Sequence, residues 1–195
     1  MRIQPARRGH HGPETLDPSR TRFSLWAPDA KSVSLVIVGG DTRPMQAGED
    51  GWYGIEAPVG AGTRYRFLID DELEVPDPAS RAQAGDVHEP SLVVDPASYQ
   101  WRHADWRGRP WHETVLYELH VGACGGYAGV EQHLAALAEL GVTAIELMPL
   151  AEFPGERNWG YDGVLLYAPE ASYGSPDDLK HLIDTAHGLG LMVFL

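Results

Sequence analysis

The chain has 195 residues, enough for one or two domains, and its 43% of apolar residues is enough for a hydrophobic core. Acidic residues outnumber basic residues 28 to 15, giving a net charge of −13, and nucleic acid and anionic membrane surfaces repel such a chain. The one cysteine, Cys124, excludes an internal disulfide and argues against a cysteine-based zinc site.

Residues 1–14 are predicted to form a flexible polar tail. They contain no apolar run that could serve as a signal peptide, and no segment of the chain approaches the roughly 20 apolar residues that cross a membrane. We therefore predict a cytoplasmic protein with neither nucleic acid nor a membrane as its partner. The negative charge suits a neutral ligand such as a sugar.

Residues 15–100 are predicted to form a small immunoglobulin-like β-sandwich. Apolar and polar residues alternate in short segments, and Gly, Pro and Asp turns separate them, as expected for antiparallel strands with one buried face. The segments are TRFSLWA (21–27), KSVSLVIV (31–38), GWYGIEA (51–57) and TRYRFLID (63–70). Several short strands at this spacing are typical of a sandwich.

Residues 101–114, WRHADWRGRPWHET, are predicted to be a tryptophan-rich connector. Tryptophan is a common interface anchor because of its large surface, so Trp101, Trp106 and Trp111 are expected to pack at a domain boundary. The alternative is that these three rings form a platform for sugar stacking.

Residues 115–195 change to a strand–helix alternation. Strands are predicted at 115–121, 142–148 and 191–195, and helices at 128–140 and 175–190. Short connections of this kind produce a parallel sheet with right-handed crossovers. A closed barrel needs roughly 200–250 residues, so this segment is predicted to be the first three strands of a truncated (β/α)8 barrel. The predicted fold class is therefore multidomain, β plus α/β.

The loop 149–174 leaves the second predicted strand at its carboxyl end, where parallel α/β folds bind their ligands. It contains GERNWGYDG (155–163), which places Trp159 and Tyr161 among polar residues and glycines. Exposed aromatic faces suit sugar rings. The alternative is that both rings fold back and cap the barrel.

Three polar residues lie within the predicted barrel strands: Glu118, His120 and Glu146. We expect them to form a buried, hydrogen-bonded layer, with a role at the site as the alternative. Neither a phosphate-binding loop nor zinc-ligand spacing occurs, so no metal and no cofactor are predicted.

Several segments carry a family resemblance. HETVLYELHVG and the run from GVTAIELMPLAEF to LMVFL resemble the start of the barrel in glycoside hydrolases of the α-amylase superfamily. FSLWAPDAKSVSLVI, GTRYRFLID and EVPDPASR resemble the carbohydrate-binding-like sandwich that precedes this barrel. Within the superfamily, the chain most resembles the malto-oligosyltrehalose trehalohydrolase family.

The resemblance implies a retaining glycosidase that cleaves the α-1,4 bond next to the trehalose unit of maltooligosyl trehalose and releases trehalose. Its three acids lie on the fourth, fifth and seventh strands of the family, so no residue here is predicted to be catalytic, and Glu152, Glu156 and Asp162 are not assigned such a role. We expect the 195-residue chain to be an N-terminal fragment that is inactive alone.

The resemblance also implies a sugar contact. Tyr161 matches the superfamily tyrosine that stacks on the sugar ring at the cleavage point, with Trp159 and Asp162 beside it as further predicted substrate-binding residues. For Asp162 a structural role, capping backbone N–H groups of the loop, is an equal alternative. The predicted partner is maltooligosyl trehalose or a related α-glucan.

Two other functions remain open from the sequence. One is a 1,4-α-glucan branching enzyme, a transferase of the same superfamily that also has a sandwich before its barrel. The other is a non-catalytic glucan-binding module, which the lack of catalytic acids would explain.

Overall fold

The computed structural model describes residues 11–195 and divides the chain into two compact units. Within the described residues, one unit comprises residues 11–96 with Leu165–Ala168, and the other comprises Ala97–Val164 with Pro169–Leu195. Most of the predicted tail lies outside the described residues. In the described part of the chain, no helix is long and apolar enough to cross a membrane.

The first unit consists of two antiparallel sheets. Its strands are β1 (Glu14–Asp17), β2 (Arg20–Trp26), β3 (Val33–Ile37), β4 (Thr42–Pro44), β5 (Gln46–Ala47), β6 (Trp52–Ala57), β7 (Arg64–Ile69), β8 (Leu73–Val75) and β9 (Ser91–Leu92). One sheet has the order β1-β2-β6-β5. The other has the order β4-β3-β7-β8, with β9 also paired to β7.

The predicted alternation places one face of each sheet in a shared core. Phe23 of β2, Leu35 of β3 and Phe67 of β7 are all fully buried. The ring of Phe23 meets the edge of the Tyr65 ring at 4.8 Å between centroids. Burying such a side chain stabilises the folded state by about 1.5–3 kcal/mol, so these buried side chains hold the two sheets together. The predicted sandwich is confirmed.

A buried polar group lies beside this core and was not predicted. The Tyr65 hydroxyl donates to Asp77 Oδ2 at 2.7 Å, and the Ala79 N–H donates to Asp77 Oδ1 at 2.8 Å. The Asp77 N–H donates to Ser91 Oγ at 3.0 Å. Burial raises the pKa of Asp77, and the hydrogen bonds from Tyr65 and Ala79 offset only part of that effect.

From residue 97 onward the chain alternates between strands and helices. The elements are β10 (Leu116–Leu119), α1 (Tyr127–Glu131), α2 (Leu134–Leu140), β11 (Ala144–Leu147), β12 (Ala151–Glu152), β13 (Leu165–Pro169), α3 (Pro176–Gly188) and β14 (Met192–Phe194). Strands β10, β11 and β14 form a parallel sheet in that order, as predicted. Leu134, Ile145, Leu182 and Ala186 belong to the buried cluster between the sheet and the helices.

Helix α3 begins as its sequence predicts. Ser175 is the N-cap, Pro176 is the first helical residue, and Ser175 and Asp178 form a capping box. The Asp178 carboxylate accepts from both the N–H and the hydroxyl of Ser175, at 2.8 and 2.7 Å. These two hydrogen bonds lower the pKa of Asp178.

The helix predicted at 128–140 is two helices instead. The His133 N–H donates to the Val130 carbonyl at 3.0 Å. This i→i+3 hydrogen bond makes a tight 3-10 turn that separates α1 from α2. Leu140, the last residue of α2, is 77% exposed. Gly141 turns the chain with φ 98°, so that Val142 enters the core in place of Leu140.

Candidate functional site

The candidate site is the loop that follows β11 at the carboxyl edge of the parallel sheet. The predicted loop 149–174 contains the short strands β12 and β13 and a 3-10 turn at Ala171–Tyr173, which leaves residues 153–164 as its tip. Trp159 and Tyr161 are each 71% exposed on this tip. Their rings are therefore open to solvent and do not fold back into the core.

Two buried glutamates fix the base of this loop. Glu152 Oε2 accepts from the Ala171 N–H at 2.8 Å, and Glu170 Oε2 accepts from the Phe153 N–H at 3.1 Å. Glu170 Oε1 accepts from Ser172 N–H at 3.0 Å. Each carboxylate thus bonds the residue after the other, and both are almost fully buried. This reciprocal pair closes the two ends of the loop.

A second set of contacts orders the tip. Asn158 Oδ1 accepts from the Gly160 N–H at 2.7 Å, and Asn158 Nδ2 donates to Asp162 Oδ2 at 2.8 Å. Asp162 therefore holds the loop through the amide side chain of Asn158. The backbone cap at Gly160 is provided by Asn158, whereas the sequence offered capping by Asp162 as one of two alternatives. Gly160 has φ 99° and lies against the Pro149 carbonyl, where a Cβ would clash.

His120, the residue after β10, joins the loop to the sheet. Its Nε2 lies 2.6 Å from the Asn158 carbonyl oxygen, and its Nδ1 accepts from the Ala123 N–H at 3.0 Å. The His120 ring meets the Trp159 ring edge-on, with centroids 5.7 Å apart. On another side it packs against Tyr173, at 6.0 Å between centroids.

Tyr173 supports this cluster from the core. Its ring makes edge contacts with Phe153 at 5.9 Å and Tyr127 at 6.3 Å. Burial raises the pKa of Tyr173, and the nearby charge of Glu170 adds to the shift. Gly122 permits the close packing, since a Cβ there would lie 2.7 Å from the Tyr173 ring and 2.9 Å from the His120 ring.

The predicted buried polar layer is wrong for the strand glutamates. Glu118 is exposed and Glu146 is half-buried, although their register places them side by side on β10 and β11. They alternate with Leu119, Ile145 and Leu147, which face the core, and so lie on the other face of the sheet. Of the three residues, His120 makes a hydrogen bond and a ring contact to the loop. The described residues contain no group of three or more His, Cys, Asp or Glu side chains that could hold a metal.

A buried carboxylate away from the loop was missed by the sequence analysis. Asp184 of α3 is completely buried and accepts five hydrogen bonds: four from the connector, by the N–H and Nε of Arg102 and the N–H and Nδ1 of His103, and one from the hydroxyl of Tyr99, which precedes the connector. Burial raises the pKa of Asp184, but the hydrogen bonds from Arg102 and His103 lower it more. The pKa therefore lies below its ordinary value.

The connector also contains Trp106, one of the three tryptophans that were predicted to pack at a domain boundary. The Trp106 ring stacks on the His187 ring of α3, with centroids 5.1 Å apart and planes within 17°. Burial lowers the pKa of His187. Trp111 is largely exposed and touches Phe194 edge-on. The connector is therefore fixed to α3 by Asp184 and Trp106.

Comparisons with known proteins agree with this architecture. Residues 84–195 match the family model of the alpha amylase catalytic domain, and residues 9–98 match carbohydrate-binding module 48, the isoamylase N-terminal domain. The solved structure of a putative alpha amylase from Salmonella typhimurium superposes with a TM-score of 0.90 at 51% identity, over 94% of this chain and 32% of that one.

Curated relatives give the same result. The chain is 47% identical to malto-oligosyltrehalose trehalohydrolase of Deinococcus radiodurans over 90% of its length, and 43% identical to that of Saccharolobus solfataricus over 92%. It spans 29% and 33% of those two relatives. A sandwich followed by the first strands of a (β/α)8 barrel, with a catalytic-domain match over more than half of its residues, shows that the chain belongs to the alpha-amylase catalytic-domain family.

Proposed function

We propose that the intact protein is a retaining glycoside hydrolase that cleaves the α-1,4 bond next to the trehalose unit of maltooligosyl trehalose and releases trehalose in the cytoplasm. The observation that carries the proposal is the aromatic loop: Trp159 and Tyr161 are exposed at the carboxyl edge of the sheet in a chain 47% identical to a trehalohydrolase. Open aromatic faces at this edge suit the flat apolar faces of glucose rings.

The geometry of the tip supports the binding roles that we propose. We assign sugar stacking to Tyr161 and Trp159, and we keep Asp162 as a predicted substrate contact. Asp162 Oδ2 accepts from Asn158, and the carboxylate has further lone pairs that can accept from a sugar hydroxyl. The domain limits at residues 15, 101 and 115 remain predictions about how the binding and catalytic parts divide.

No residue of this chain is assigned a catalytic role. Glu152 is buried and bonded to the Ala171 N–H, so it serves the base of the loop. Glu156 is exposed on the tip. A retaining mechanism requires two carboxyl groups about 5–5.5 Å apart across the scissile bond. By the family resemblance, we propose that these groups lie on later strands of the barrel, which residues 115–195 do not include.

A product assay on the intact protein tests the reaction. Incubation with maltooligosyl trehalose should release free trehalose, and incubation with amylose should give no new α-1,6 branches. Branches without trehalose would identify a branching enzyme. Binding of maltooligosaccharide with neither product would identify a glucan-binding module.

A matched pair of variants tests the sugar contact. Tyr161→Ala removes the ring and should weaken maltotetraose binding by roughly 5- to 30-fold, because truncating a well-placed aromatic anchor costs about 1–2 kcal/mol. Tyr161→Phe retains the ring and should bind within about twofold of the natural protein. Isothermal titration calorimetry measures both. Equal affinities in all three proteins would remove Tyr161 from the site.

A further inference from the structure

His120 lies where two loops of the candidate site meet. It follows the carboxyl end of β10, and its two ring nitrogens contact different segments: Nδ1 faces the Ala123 N–H at 3.0 Å, and Nε2 faces the Asn158 carbonyl oxygen at 2.6 Å. The first contact is local to the turn after β10. The second crosses to the aromatic loop after β11.

These two contacts determine the tautomer. A backbone N–H can only donate, so Nδ1 must carry no proton, and a carbonyl oxygen can only accept, so Nε2 must carry one. The neutral Nε2–H tautomer alone satisfies both partners. An imidazolium would present a second N–H to the Ala123 N–H and lose that bond.

The contact at Asn158 extends to the aromatic residues. Asn158 also bonds the Gly160 N–H and the Asp162 carboxylate, so the carbonyl that His120 holds belongs to the residue that orders the whole tip. The His120 ring additionally meets Trp159 at 5.7 Å with planes 89° apart. One side chain therefore contacts both the backbone of the loop and one of its two exposed rings.

The His120 ring is itself held in place. Tyr173, which is 6% exposed, packs against it at 6.0 Å, and the missing Cβ of Gly122 leaves the space for that contact. Because the ring cannot turn freely, its Nε2–H has a fixed direction.

We propose that His120 is a positioning residue, whose Nε2–H hydrogen bond to the Asn158 carbonyl holds Trp159 and Tyr161 in the geometry that stacks on α-glucan. The part concerning glucan rests on the proposed function. We assign His120 no contact with the reacting bond; its proposed action is through the loop.

Two amide variants of the intact protein separate the two bonds. Glutamine at position 120 carries its terminal NH2 about where Nε2 lies, so His120→Gln retains a donor for Asn158. Asparagine is one methylene shorter and reaches only the Nδ1 position, so His120→Asn retains an acceptor for Ala123 and loses the contact with Asn158. The chemistry of the side chain is the same in both variants.

Hydrogen exchange of the segment 156–163 gives the first readout. His120→Asn should raise its exchange about tenfold, the change expected for loss of one hydrogen bond, whereas His120→Gln should stay near the natural protein. Equal exchange in both variants and the natural protein would overturn the proposal. Equal increases in both would show a general structural role and would overturn it too.

Maltotetraose affinity gives the second readout. His120→Asn should weaken binding three- to tenfold in the natural background and should have no further effect when Trp159 and Tyr161 are both alanine. The same loss in both backgrounds would refute action through the rings. If the natural protein does not bind maltotetraose, the proposed function fails at this loop, and the exchange result alone decides whether His120 positions it.

Discussion

Replacing Asp184 by asparagine should strongly destabilise the second unit. The amide has the same shape, but only one of its two terminal atoms can accept. If the NH2 group replaces Oδ1, the N–H and Nδ1 of His103 lose their acceptor, and if it replaces Oδ2, Arg102 and Tyr99 lose theirs. Hydrogen bonds to a buried charge are worth about 1.5–3 kcal/mol each, so we expect the free energy of unfolding to fall by about 3–5 kcal/mol.

Urea unfolding measures this loss, and hydrogen exchange of residues 99–105 locates it. Asp177→Asn is the matched control, since it removes the same charge from the same helix. The Asp177 side chain is 52% exposed and pairs with Lys180 at 2.9 Å, a type of ion pair worth less than about 1 kcal/mol. Equal losses in the two variants, or unchanged exchange in the connector, would refute the reasoning.

The pH dependence of the stability provides a second test of the same prediction. The folded pKa of Asp184 lies below its ordinary value, so its contribution is complete above the unfolded pKa, about 3.9, and disappears as the pH falls through the folded pKa. The stability gap between the natural chain and Asp184→Asn should thus be full at neutral pH and shrink below about pH 4. A gap that widens in acid would contradict the assigned hydrogen bonds.

Three further changes test other parts of the structure. Glu170→Gln leaves the Phe153 or Ser172 N–H without an acceptor and should lower the free energy of unfolding by about 1–3 kcal/mol in urea titrations, while the exposed control Glu156→Gln should not; equal midpoints would contradict this. Asp77 has a raised pKa, so its contribution to stability is greatest below about pH 3.9 and declines as the pH rises through the folded pKa. Asp77→Asn should abolish that decline, which the hydrogen exchange of β7 measures. An unchanged pH profile would contradict this expectation. Alanine at Gly160 strains a positive φ and clashes with the Pro149 carbonyl, whereas alanine at Gly155 strains a similar φ in open space. Trypsin should therefore cleave at Arg157 faster in Gly160→Ala than in Gly155→Ala. Identical cleavage rates would show that the Pro149 contact does not order the loop.

The sequence predicted the apolar framework well, because alternation along a strand states directly which residues face inward. Phe23, Leu25, Tyr65 and Phe67 alternate with polar residues and are all buried. The short strands β4, β5 and β9 have only two or three residues, too few for a period to appear. Their pairing depends on neighbouring strands, which a local pattern does not describe.

The pattern of apolar and polar residues along the chain did not predict the buried carboxylates. Asp184 is a polar residue in an amphipathic helix, and its partners at Tyr99, Arg102 and His103 are more than 80 positions away in the sequence. The same holds for His120 and Asn158, which are 38 positions apart. Position on the loop marked Trp159 and Tyr161 as candidates, but the contacts that hold them depend on tertiary structure.

The reciprocal bonds of Glu152 and Glu170 separate the loop tip from the sheet that bears it. Since both ends are closed by side chains bonded to backbone N–H groups, the intervening residues can change without loss of the closure. Variation at the tip residues other than Asn158 and Gly160 would therefore alter which rings face the solvent and leave β11 and α3 intact. On the proposed function, a few substitutions between these two glutamates would be enough to change which sugars the loop prefers.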